Sequence, residues 1–240
     1  MILRVLGARG PYPAKGEATS GYLLETKSGN ILIDCGSGVL AKLLEYTTFD
    51  DISFIICSHL HADHTSDLGV LRYYFASRGK EIDLFIPSEP QEEYNLIRKG
   101  VYRVKNIEEN MQIEMGSVKL SFFEGQHPYK SFAIRIEEDG KIFVFSGDTG
   151  YKEDFINFCT GADLLLLNSA YTDEEVEKIE ESKRYHMSPR QAAAIAKKAG
   201  AKLLVLTHLK PECDEKRHLE SAKEVFENTV LATQKRIIEF

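Results

Sequence analysis

The sequence predicts a layered α/β fold, built as a single domain over residues 1–240. Short apolar segments dominate the first half of the chain, and helical segments alternate with apolar strands in the second half. No linker-like composition separates the two halves. Strands mixed with helices along the whole chain favour packed layers. A chain of 240 residues fits one large domain or two small ones, with ample length for a hydrophobic core.

Apolar stretches place strands and two helices in the first half. Strands are expected at ILRVLGA, GYLLET, NILIDCG and DISFIICS (2–8, 21–26, 30–36 and 51–58), with Ser28-Gly29-Asn30 as a tight turn. Helical spacing marks GVLAKLLEY (38–46) and TSDLGVLRYYFASRG (65–79). In the second helix Thr65 or Ser66 is the expected cap, and Gly79 the expected end.

The following segments predict four further strands and then helix–strand alternation. The strands are expected at DLFIPS, VKLSFFEGQ, SFAIRIEED and KIFVFSGD, and Asp139-Gly140 between the last two predicts a hairpin. The alternating part runs through YKEDFINFC, ADLLLLNSA, SPRQAAAIAKKAG, AKLLVLTHL and EKRHLESAKEVFENT. The charged run 173–184 is interpreted as a solvated helix or loop.

Composition excludes several classes of protein. The net charge of −7 argues against nucleic-acid binding by the surface as a whole. No apolar run reaches the 18 residues of a membrane span, and the N-terminus lacks the pattern of a secretion signal. The four cysteines are scattered without a CxxC pair, which predicts a reducing, cytoplasmic setting. Cys35 and Cys57 are expected to be buried, inert thiols.

A dense group of metal-binding residue types lies at positions 59–64. Here His59, His61, Asp63 and His64 use three of the seven histidines of the chain. On an extended chain leaving a strand, residues i and i+2 point to the same side, so His59 and His61 can converge on one ion. Asp63 and His64 lie beyond, where a turn into a helix can aim them at a neighbouring point. This spacing favours two adjacent ions, and these ligands suit zinc, and also iron or manganese.

Three later residues of the same types stand where apolar strands end. His127 follows LSFFEGQ, Asp148 follows IFVFSG and His208 follows LLVLT. In layered α/β folds, sites gather outside the ends of strands, so these residues are expected to join the first group. A carboxylate such as Asp148 can bridge two cations. His218 has charged neighbours on a predicted helix and is expected to face solvent.

Taken in order, these motifs resemble those of the metallo-β-lactamase superfamily. The likeness rests on HxHxDH at 59–64, on His127, on Asp148 in SGDT, on His208 in LTHL and on the lead-in NILIDCGSG at 30–38. It implies an αββα four-layer sandwich with a two-metal site at one sheet edge. It also implies that one ion is held by His59, His61, His127 and Asp148, and the other by Asp63, His64, Asp148 and His208. Asp34 would orient a ligand.

Within the superfamily, the chain most resembles the ribonuclease Z and phosphodiesterase branch. The stretch YHMSPRQAAAIAKKAGAKLLVLTHL (185–209) carries this likeness. It implies that His186 is the proton donor, standing just before the helix start Ser188-Pro189.

The chain departs from the ribonuclease Z pattern in three places. Gly16-Glu17-Ala18 stand where an Arg-Asn pair is expected, and Asn168 or Ser169 replaces the glutamate that supports the donor histidine. Only 20 residues separate His127 from Asp148, which leaves no room for the long Gly-rich arm that grips tRNA. A phosphodiesterase acting on small or unstructured substrates therefore fits better than tRNA 3′ processing.

The resulting prediction is a metal-dependent hydrolase, with Asp63 and His186 as catalytic residues and two divalent ions as cofactors. Two such ions, roughly 3.5–4 Å apart, can share a water and lower its pKa. The expected substrate is a small phosphodiester or a short nucleic acid, and a homodimer is consistent with the branch. Three alternatives stay open: an acyl hydrolase acting on a lactone or thioester, redox chemistry at iron, and a non-catalytic metal-stabilised binding module. Di-iron members typically carry glutamate where His61 stands, which disfavours the redox alternative.

Overall fold

The first half of the chain folds into six strands and four helices in the computed structural model, which describes residues 1–240. The strands are β1 (Ile2–Gly7), β2 (Gly21–Thr26), β3 (Gly29–Ile33), β4 (Ile52–Ile56), β5 (Ile82–Ile86) and β6 (Tyr102–Asn106). The helices are α1 (Val39–Leu43), α2 (Ala62–Thr65), α3 (Leu68–Ala76) and α4 (Gln91–Ile97), with a 3₁₀ turn at Phe49–Asp51.

The second half adds eight strands and four helices. Its strands are β7 (Gln112–Met115), β8 (Val118–Glu124), β9 (Phe132–Glu138), β10 (Lys141–Phe145), β11 (Leu164–Asn168), β12 (Leu203–Thr207), β13 (Thr229–Leu231) and β14 (Ile237–Glu239). Its helices are α5 (Phe155–Cys159), α6 (Asp173–Lys178), α7 (Pro189–Ala199) and α8 (Glu215–Lys223), with a 3₁₀ turn at Glu181–Lys183. The charged run 173–184 is thus a short helix followed by a turn, as predicted.

The strands form two seven-stranded mixed sheets. The first sheet has the order β14-β1-β2-β3-β4-β5-β6, and the second has the order β13-β12-β11-β10-β9-β8-β7. In the first, β1, β2 and β3 pair antiparallel, and β3 to β6 pair parallel. The second repeats this arrangement, with β8, β9 and β10 antiparallel and β10 to β13 parallel. The carboxyl ends of the parallel strands in each sheet therefore lie at one edge.

Alternating side chains on each strand pack the two sheets face to face and cover their outer faces with helices. Phe54 and Ile56 of β4 lie in the core between the sheets, whereas Ile55 lies under the helices of the first sheet. On β11, Leu166 points into the same central core and Leu165 packs beneath the helices of the second sheet. Three apolar cores between four layers confirm the predicted αββα sandwich.

Two local predictions shift by a few residues. The β2–β3 turn consists of Lys27 and Ser28, because Thr26 already pairs with Gly29 and Gly29 begins β3. The helix expected over residues 65–79 is α3, which begins at Leu68 after Asp67, rather than after Thr65 or Ser66, and ends at Ala76 instead of Gly79. The Thr65 and Ser66 hydroxyls donate back to the carbonyls of His61 and Ala62 within α2. The Asp139-Gly140 hairpin is confirmed, with both residues at positive φ.

The prediction that His218 faces solvent is wrong. Its side chain is 4% exposed, and Nε2 lies 2.7 Å from the Ser169 carbonyl oxygen and 2.8 Å from Ser169 Oγ. His218 and Ala222 stand one helical turn apart on α8 and form its buried face, while Lys216, Arg217 and Glu220 are exposed. Charged sequence neighbours therefore did not indicate the direction of this side chain.

The buried thiols at Cys35 and Cys57 agree with the prediction. Both side chains are fully buried, and burial raises the pKa of each thiol well above its usual value. None of the helices combines the length and the apolar character that crossing a lipid bilayer requires.

Candidate metal centre

The HxHxDH motif occupies the chain segment that leaves β4 and enters α2. Strand β4 ends at Ile56, and His61, which precedes α2, has the extended conformation φ −61°, ψ 148°. His59 Nε2 and His61 Nδ1 consequently lie 3.0 Å apart. Asp63 and His64 belong to α2 itself, so the helical turn directs them to a neighbouring point. This is the local geometry that the i, i+2 spacing predicts.

The other predicted ligands come from loops at the same edge of the sandwich. His127 follows β8, Asp148 follows β10 and His208 directly follows β12. The Nδ1–H of His127 can donate to the Tyr129 carbonyl oxygen at 3.2 Å, which leaves Nε2 for the centre. His208 adopts a φ of +57°, a conformation sparsely populated by residues other than glycine.

The structure brings all seven residues into one cluster. Ligand atoms lie within 4.8 Å of one another in each of three overlapping groups: His59 with His61 and His127; His59 with His64 and Asp148; and Asp63 with His64 and His208. Asp63 Oδ2 is 3.1 Å from His208 Nε2 and 3.4 Å from His64 Nε2.

Asp148 occupies the middle of this cluster. Its Oδ2 lies 3.2 Å from His208 Nε2, 3.5 Å from His64 Nε2 and 3.8 Å from His59 Nε2. The residue is 2% exposed. One buried carboxylate between two groups of imidazoles has the position that a carboxylate bridging two cations requires.

Electrostatics hold the two central carboxylates in their anionic form. Burial alone would raise the pKa of Asp148, but the adjacent His208 and His64 lower it well below its usual value. The pKa of Asp63 is also lowered, because His64 and His208 outweigh the effect of burial. Burial lowers the pKa of His59 well below its usual value and that of His127 to about 4, which favours neutral rings. Neutral imidazoles and ionised carboxylates are the protonation states that bind metals. At His64, burial is outweighed by Asp34, Asp148 and Asp63, which raise the pKa of the ring well above its usual value, so a cation bound there would replace a proton.

Buried polar atoms without protein partners show that this donor set fits metal ions. His64 Nε2 and Asp148 Oδ1 are both buried and form no hydrogen bond within the chain. An unpaired polar group in the interior costs free energy, and a coordinated cation would satisfy both atoms. The His/Asp cluster can therefore bind metal ions, and its nitrogen and oxygen donors suit zinc and other first-row metals.

Asp34 supports the cluster from beneath. Its carboxylate is fully buried and accepts hydrogen bonds from His64 Nδ1 at 2.6 Å, Ser20 Oγ at 2.7 Å and Ser58 N at 2.9 Å. Asp34 also has a positive φ of +55°. The contact with His64 is the one that the resemblance implies, and it directs Nε2 of that ring toward the other ligands.

His186 lies at the rim of the cluster, where its ligand atom forms a fourth such group with those of His127 and Asp148. Its Nδ1 is 3.9 Å from Asp148 Oδ2, and its ring stacks on His208 with centroids 5.2 Å apart and an angle of 16°. Burial lowers the pKa of His186 to about 3, and the nearby Asp148 carboxylate only partly offsets this effect. The predicted cap at Ser188-Pro189 is confirmed, because Ser188 Oγ accepts from Gln191 N at the start of α7.

Neither Asn168 nor Ser169 hydrogen-bonds to the His186 ring, and Nδ1 of that ring forms no hydrogen bond within the chain. Asn168 instead holds the backbone beside it: Oδ1 accepts from Met187 N at 3.2 Å, and Nδ2 donates to the Thr149 carbonyl at 2.9 Å. Ser169 contacts His218. The orientation of the His186 ring thus depends on aromatic packing against Tyr171 and His208.

Sequence reasoning missed two features beside the cluster. Gly10 lies so close to His208 that a Cβ there would be 2.1 Å from His208 Nε2. Tyr129 packs on His61, with ring centroids 4.0 Å apart, and its hydroxyl donates to Glu93 Oε1 at 2.9 Å. The Gly-Pro pair at 10–11 and the aromatic residue two positions after His127 were the available signals.

Comparison with known proteins identifies the family. The β-lactamase superfamily domain matches residues 29–209, a span that includes all seven clustered residues. The probable metallo-hydrolase YhfI of Bacillus subtilis is 32% identical over 221 residues, which cover 87% of this chain and 87% of that protein. Ribonuclease Z of Methanopyrus kandleri is 26% identical over 271 aligned positions, covering 97% of this chain and 95% of the other.

Solved structures agree on the fold. The crystal structure of YhfI from B. subtilis, a metallo-β-lactamase fold protein, superimposes with a TM-score of 0.92 at 29% identity and covers 99% of this chain and 98% of its own. Human tRNase Z, short form, has a TM-score of 0.80 at 24% identity over 100% of this chain and 99% of its own, and supports the fold alone. The chain therefore belongs to the β-lactamase superfamily, as a metallo-hydrolase with the metallo-β-lactamase fold.

Proposed function

We propose that this metallo-hydrolase is a phosphodiesterase with a two-ion centre, acting on small or unstructured phosphodiesters. Similarity along nearly the whole chain to the ribonuclease Z of M. kandleri supports phosphodiester chemistry. In this proposal His59, His61, His127 and Asp148 hold one ion, and Asp63, His64, Asp148 and His208 hold the other. Zinc is the expected metal, with manganese or iron as alternatives.

The position of His186 is the observation that carries the choice of chemistry. The two ligand sets proposed above are complete without His186, whose Nδ1 lies 3.9 Å from Asp148 Oδ2 and whose ring stacks on His208. A phosphodiester needs a proton on its departing oxygen, and a positioned donor contributes roughly 10²–10⁴-fold in rate. An anionic phosphate beside His186 favours the protonated ring, which counteracts the effect of burial.

The other residues of the centre bind and orient the substrate. Divalent ions held there would supply a nucleophilic water near neutral pH and positive charge beside the phosphoryl oxygens. Asp63, the second proposed catalytic residue, lies 3.1 Å from His208 Nε2 and is ionised, so it can accept a proton from an attacking water. Asn168 fixes the backbone of Met187 and thereby the approach of His186.

The segment between His127 and Asp148 supports a preference for small substrates. It contains only a short loop, β9, the two-residue turn at Asp139-Gly140 and β10. A protein that binds a long polyanion neutralises many phosphates with Lys and Arg. This chain has a net charge of −7 and no projecting arm in that segment.

Two further parts of the proposal concern the setting of the protein. Its four cysteines are free thiols, three of them buried, which supports a reducing compartment such as the cytoplasm. A homodimer stays a prediction.

An acyl hydrolase is the second candidate function. The same metal centre can direct water at the carbonyl of a lactone or thioester, and the metallo-hydrolase YhfI, whose name specifies no substrate, is compatible with either chemistry. In that case His186 has no proton to supply.

One comparison of substrates tests the proposal. Metal-loaded protein is assayed with bis-p-nitrophenyl phosphate, short unstructured RNA, precursor tRNA and a simple lactone, and kcat/KM is measured for each. We expect kcat/KM for the small diester to exceed that for precursor tRNA, and we expect the lactone to be turned over slowly or not at all. Position-specific 3′ cleavage of precursor tRNA as the preferred reaction would contradict the size preference, and a preference for the lactone would contradict phosphodiester chemistry.

A further inference from the structure

We infer that a cleft beside His61 binds the organic group that remains esterified to the phosphate, and that this group is uncharged and resembles a nucleobase. The inference rests on the proposed phosphodiesterase function and adds the part of the substrate that confers selectivity. The cleft has a volume of about 360 Å³. This size lies within the range of roughly 300–1,000 Å³ that is usual for small-molecule sites.

The cleft borders the metal centre at His61. Its lining includes His61, a proposed ligand, and Tyr129, whose ring packs on that of His61 with centroids 4.0 Å apart. A substrate with its phosphate at the cluster would therefore extend a substituent into this cleft without leaving the surface of the protein. Proximity to a reactive centre distinguishes this cleft from the charged one between α6, α7 and α8, whose lining contains none of the clustered residues.

Helix α4 supplies one wall of the cleft through its helical spacing. Glu93, Leu96 and Ile97 are three and four residues apart and therefore share a face of α4, and all three line the cleft. Ile97 and Leu60 also line the cleft, are 7% and 1% exposed, and belong to the core beneath it, so they form a fixed floor. Leu96 is 63% exposed, which leaves its side chain available to a ligand.

An apolar wall that is exposed at a metal centre suits a flat or apolar substituent. Burying such surface against a ligand stabilises the complex by roughly 25 cal/mol per Å² of apolar area. The Tyr129 ring, already packed on His61, adds an aromatic edge against which a planar base can rest.

Glu93 determines the charge of the group that the cleft accepts. Its Oε1 is engaged by the Tyr129 hydroxyl at 2.9 Å, so the carboxylate is held at the wall of the cleft. The other oxygen remains able to accept a hydrogen bond from an N–H donor of a base. A second phosphate in the cleft would be repelled by this carboxylate, because like charges at short range are unfavourable.

The order of residues across the centre indicates which substrate group enters the cleft. His127 neighbours both His61, which lines the cleft, and His186, with ring centroids 4.9 Å and 5.8 Å apart respectively. His186, the proton donor proposed for the departing oxygen, does not line the cleft. The group in the cleft is accordingly the one that stays on phosphorus.

Three substrates with one leaving group test the inference. They are methyl p-nitrophenyl phosphate, thymidine 5′-(p-nitrophenyl phosphate) and the 3′-phosphorylated form of the latter. Each releases p-nitrophenolate, so differences in kcat/KM report the retained group. We expect kcat/KM for the thymidine ester to exceed that for the methyl ester by about tenfold or more. We expect the added 3′-phosphate to remove much of that increase.

Variants of the cleft complete the test. Leu96→Ala should reduce the thymidine-to-methyl ratio on the order of tenfold, and Glu93→Gln should reduce the discrimination against the 3′-phosphate. Leu44→Ala is the matched control, because Leu44 is 53% exposed and does not line the cleft. Equal kcat/KM for methyl and thymidine esters, or ratios unchanged by Leu96→Ala, would overturn the inference while leaving phosphodiester hydrolysis intact. Failure to cleave any of the three diesters would instead overturn the proposed function as well.

Discussion

The Nδ1–H of His64 donates a 2.6 Å hydrogen bond to Asp34 Oδ2, and both side chains are fully buried. This bond assigns the proton to Nδ1 and directs the Nε2 lone pair at Asp63 and Asp148. Asp34 is itself held by Ser20 and Ser58, so the ring of His64 has a fixed orientation before any ion binds. Such support typically changes metal affinity by 10–100-fold.

Replacing Asp34 by Asn should weaken metal binding by roughly 10–100-fold. The amide is uncharged and can present an N–H to His64, which disturbs the orientation of the ring. Affinity is measured by competition with a metallochromic chelator. Asp163→Asn is the matched control, because Asp163 is also buried but bonds to Ile142 N and Lys202, away from the centre. Equal affinity in Asp34→Asn and the unaltered protein would remove Asp34 from this role.

The central position of Asp148 predicts an unequal loss of metal between two variants. Purified protein should hold close to two transition-metal ions per chain, as measured by elemental analysis after metal-supplemented expression. Asp148→Ala should lose more metal than His208→Ala, because Asp148 Oδ2 approaches both groups of ligands whereas His208 belongs to one. A stoichiometry near zero in protein with intact ligands would contradict the two-ion centre.

Gly10 should tolerate no side chain. A Cβ at this position would meet the imidazole of His208 at 2.1 Å, so Gly10→Ala must displace the ring or the loop. We expect metal retention to fall and kcat/KM to decrease by roughly tenfold or more. In the control Gly69→Ala, the added methyl meets nothing within 4 Å and lies in α3, so stability should rise by up to about 1 kcal/mol. Normal metal content in Gly10→Ala would show that His208 can move freely.

Glu138 predicts a pH dependence of stability that is separate from the metal centre. Its carboxylate accepts from Lys27 N, Ser28 N and Ser117 Oγ and so joins turns of the two sheets. Burial opposes ionisation, but these hydrogen bonds prevail and lower the pKa of Glu138. The stabilisation is therefore present above the unfolded-state pKa of about 4.3 and is lost as pH falls through the lower folded-state pKa.

Denaturant unfolding of Glu138→Gln measures this effect. At pH 7 the variant should be less stable by roughly 1–3 kcal/mol, with the difference narrowing below about pH 4. Activity at pH 7 should be unchanged, because Glu138 lies at the far end of β9 from the metal centre. The other end of β9 is Phe132, whose backbone N–H donates a hydrogen bond to the carbonyl oxygen of Ser58 beside the cluster. A difference in stability that is independent of pH would contradict the assigned ionisation.

Much of this architecture is predictable because it depends on local patterns. The i, i+2 spacing of His59 and His61 is a property of extended chain, and Ser188-Pro189 is a local signal for a helix start. His127, Asp148 and His208 were predicted to lie at one edge because each follows an apolar strand, and in the structure they lie at that edge. The four-layer arrangement was implied by the resemblance rather than by any single segment.

The remaining features depend on contacts between residues far apart in sequence. The burial of His218 depends on Ser169, 49 residues away, and the constraint on Gly10 depends on His208. The cleft beside His61 requires α4 and Tyr129 to meet. Hydrophobic periodicity and composition do not predict such long-range contacts, because these contacts follow from how the sheets and helices pack. The single-domain boundary, the ligand assignments and the catalytic role of His186 stay predictions.

Phosphodiester cleavage at this centre is tested most directly by measuring how the loss of turnover in His186→Ala depends on the leaving group of the substrate. Turnover of a diester with an alkoxide leaving group should fall by roughly 10²-fold or more, because His186 supplies the proton to the departing oxygen. Turnover of a p-nitrophenyl diester should fall much less, because p-nitrophenolate departs without a proton, and metal content should stay unchanged. Unchanged rates with both diesters in the variant would contradict the proposed proton transfer and favour an acyl hydrolase.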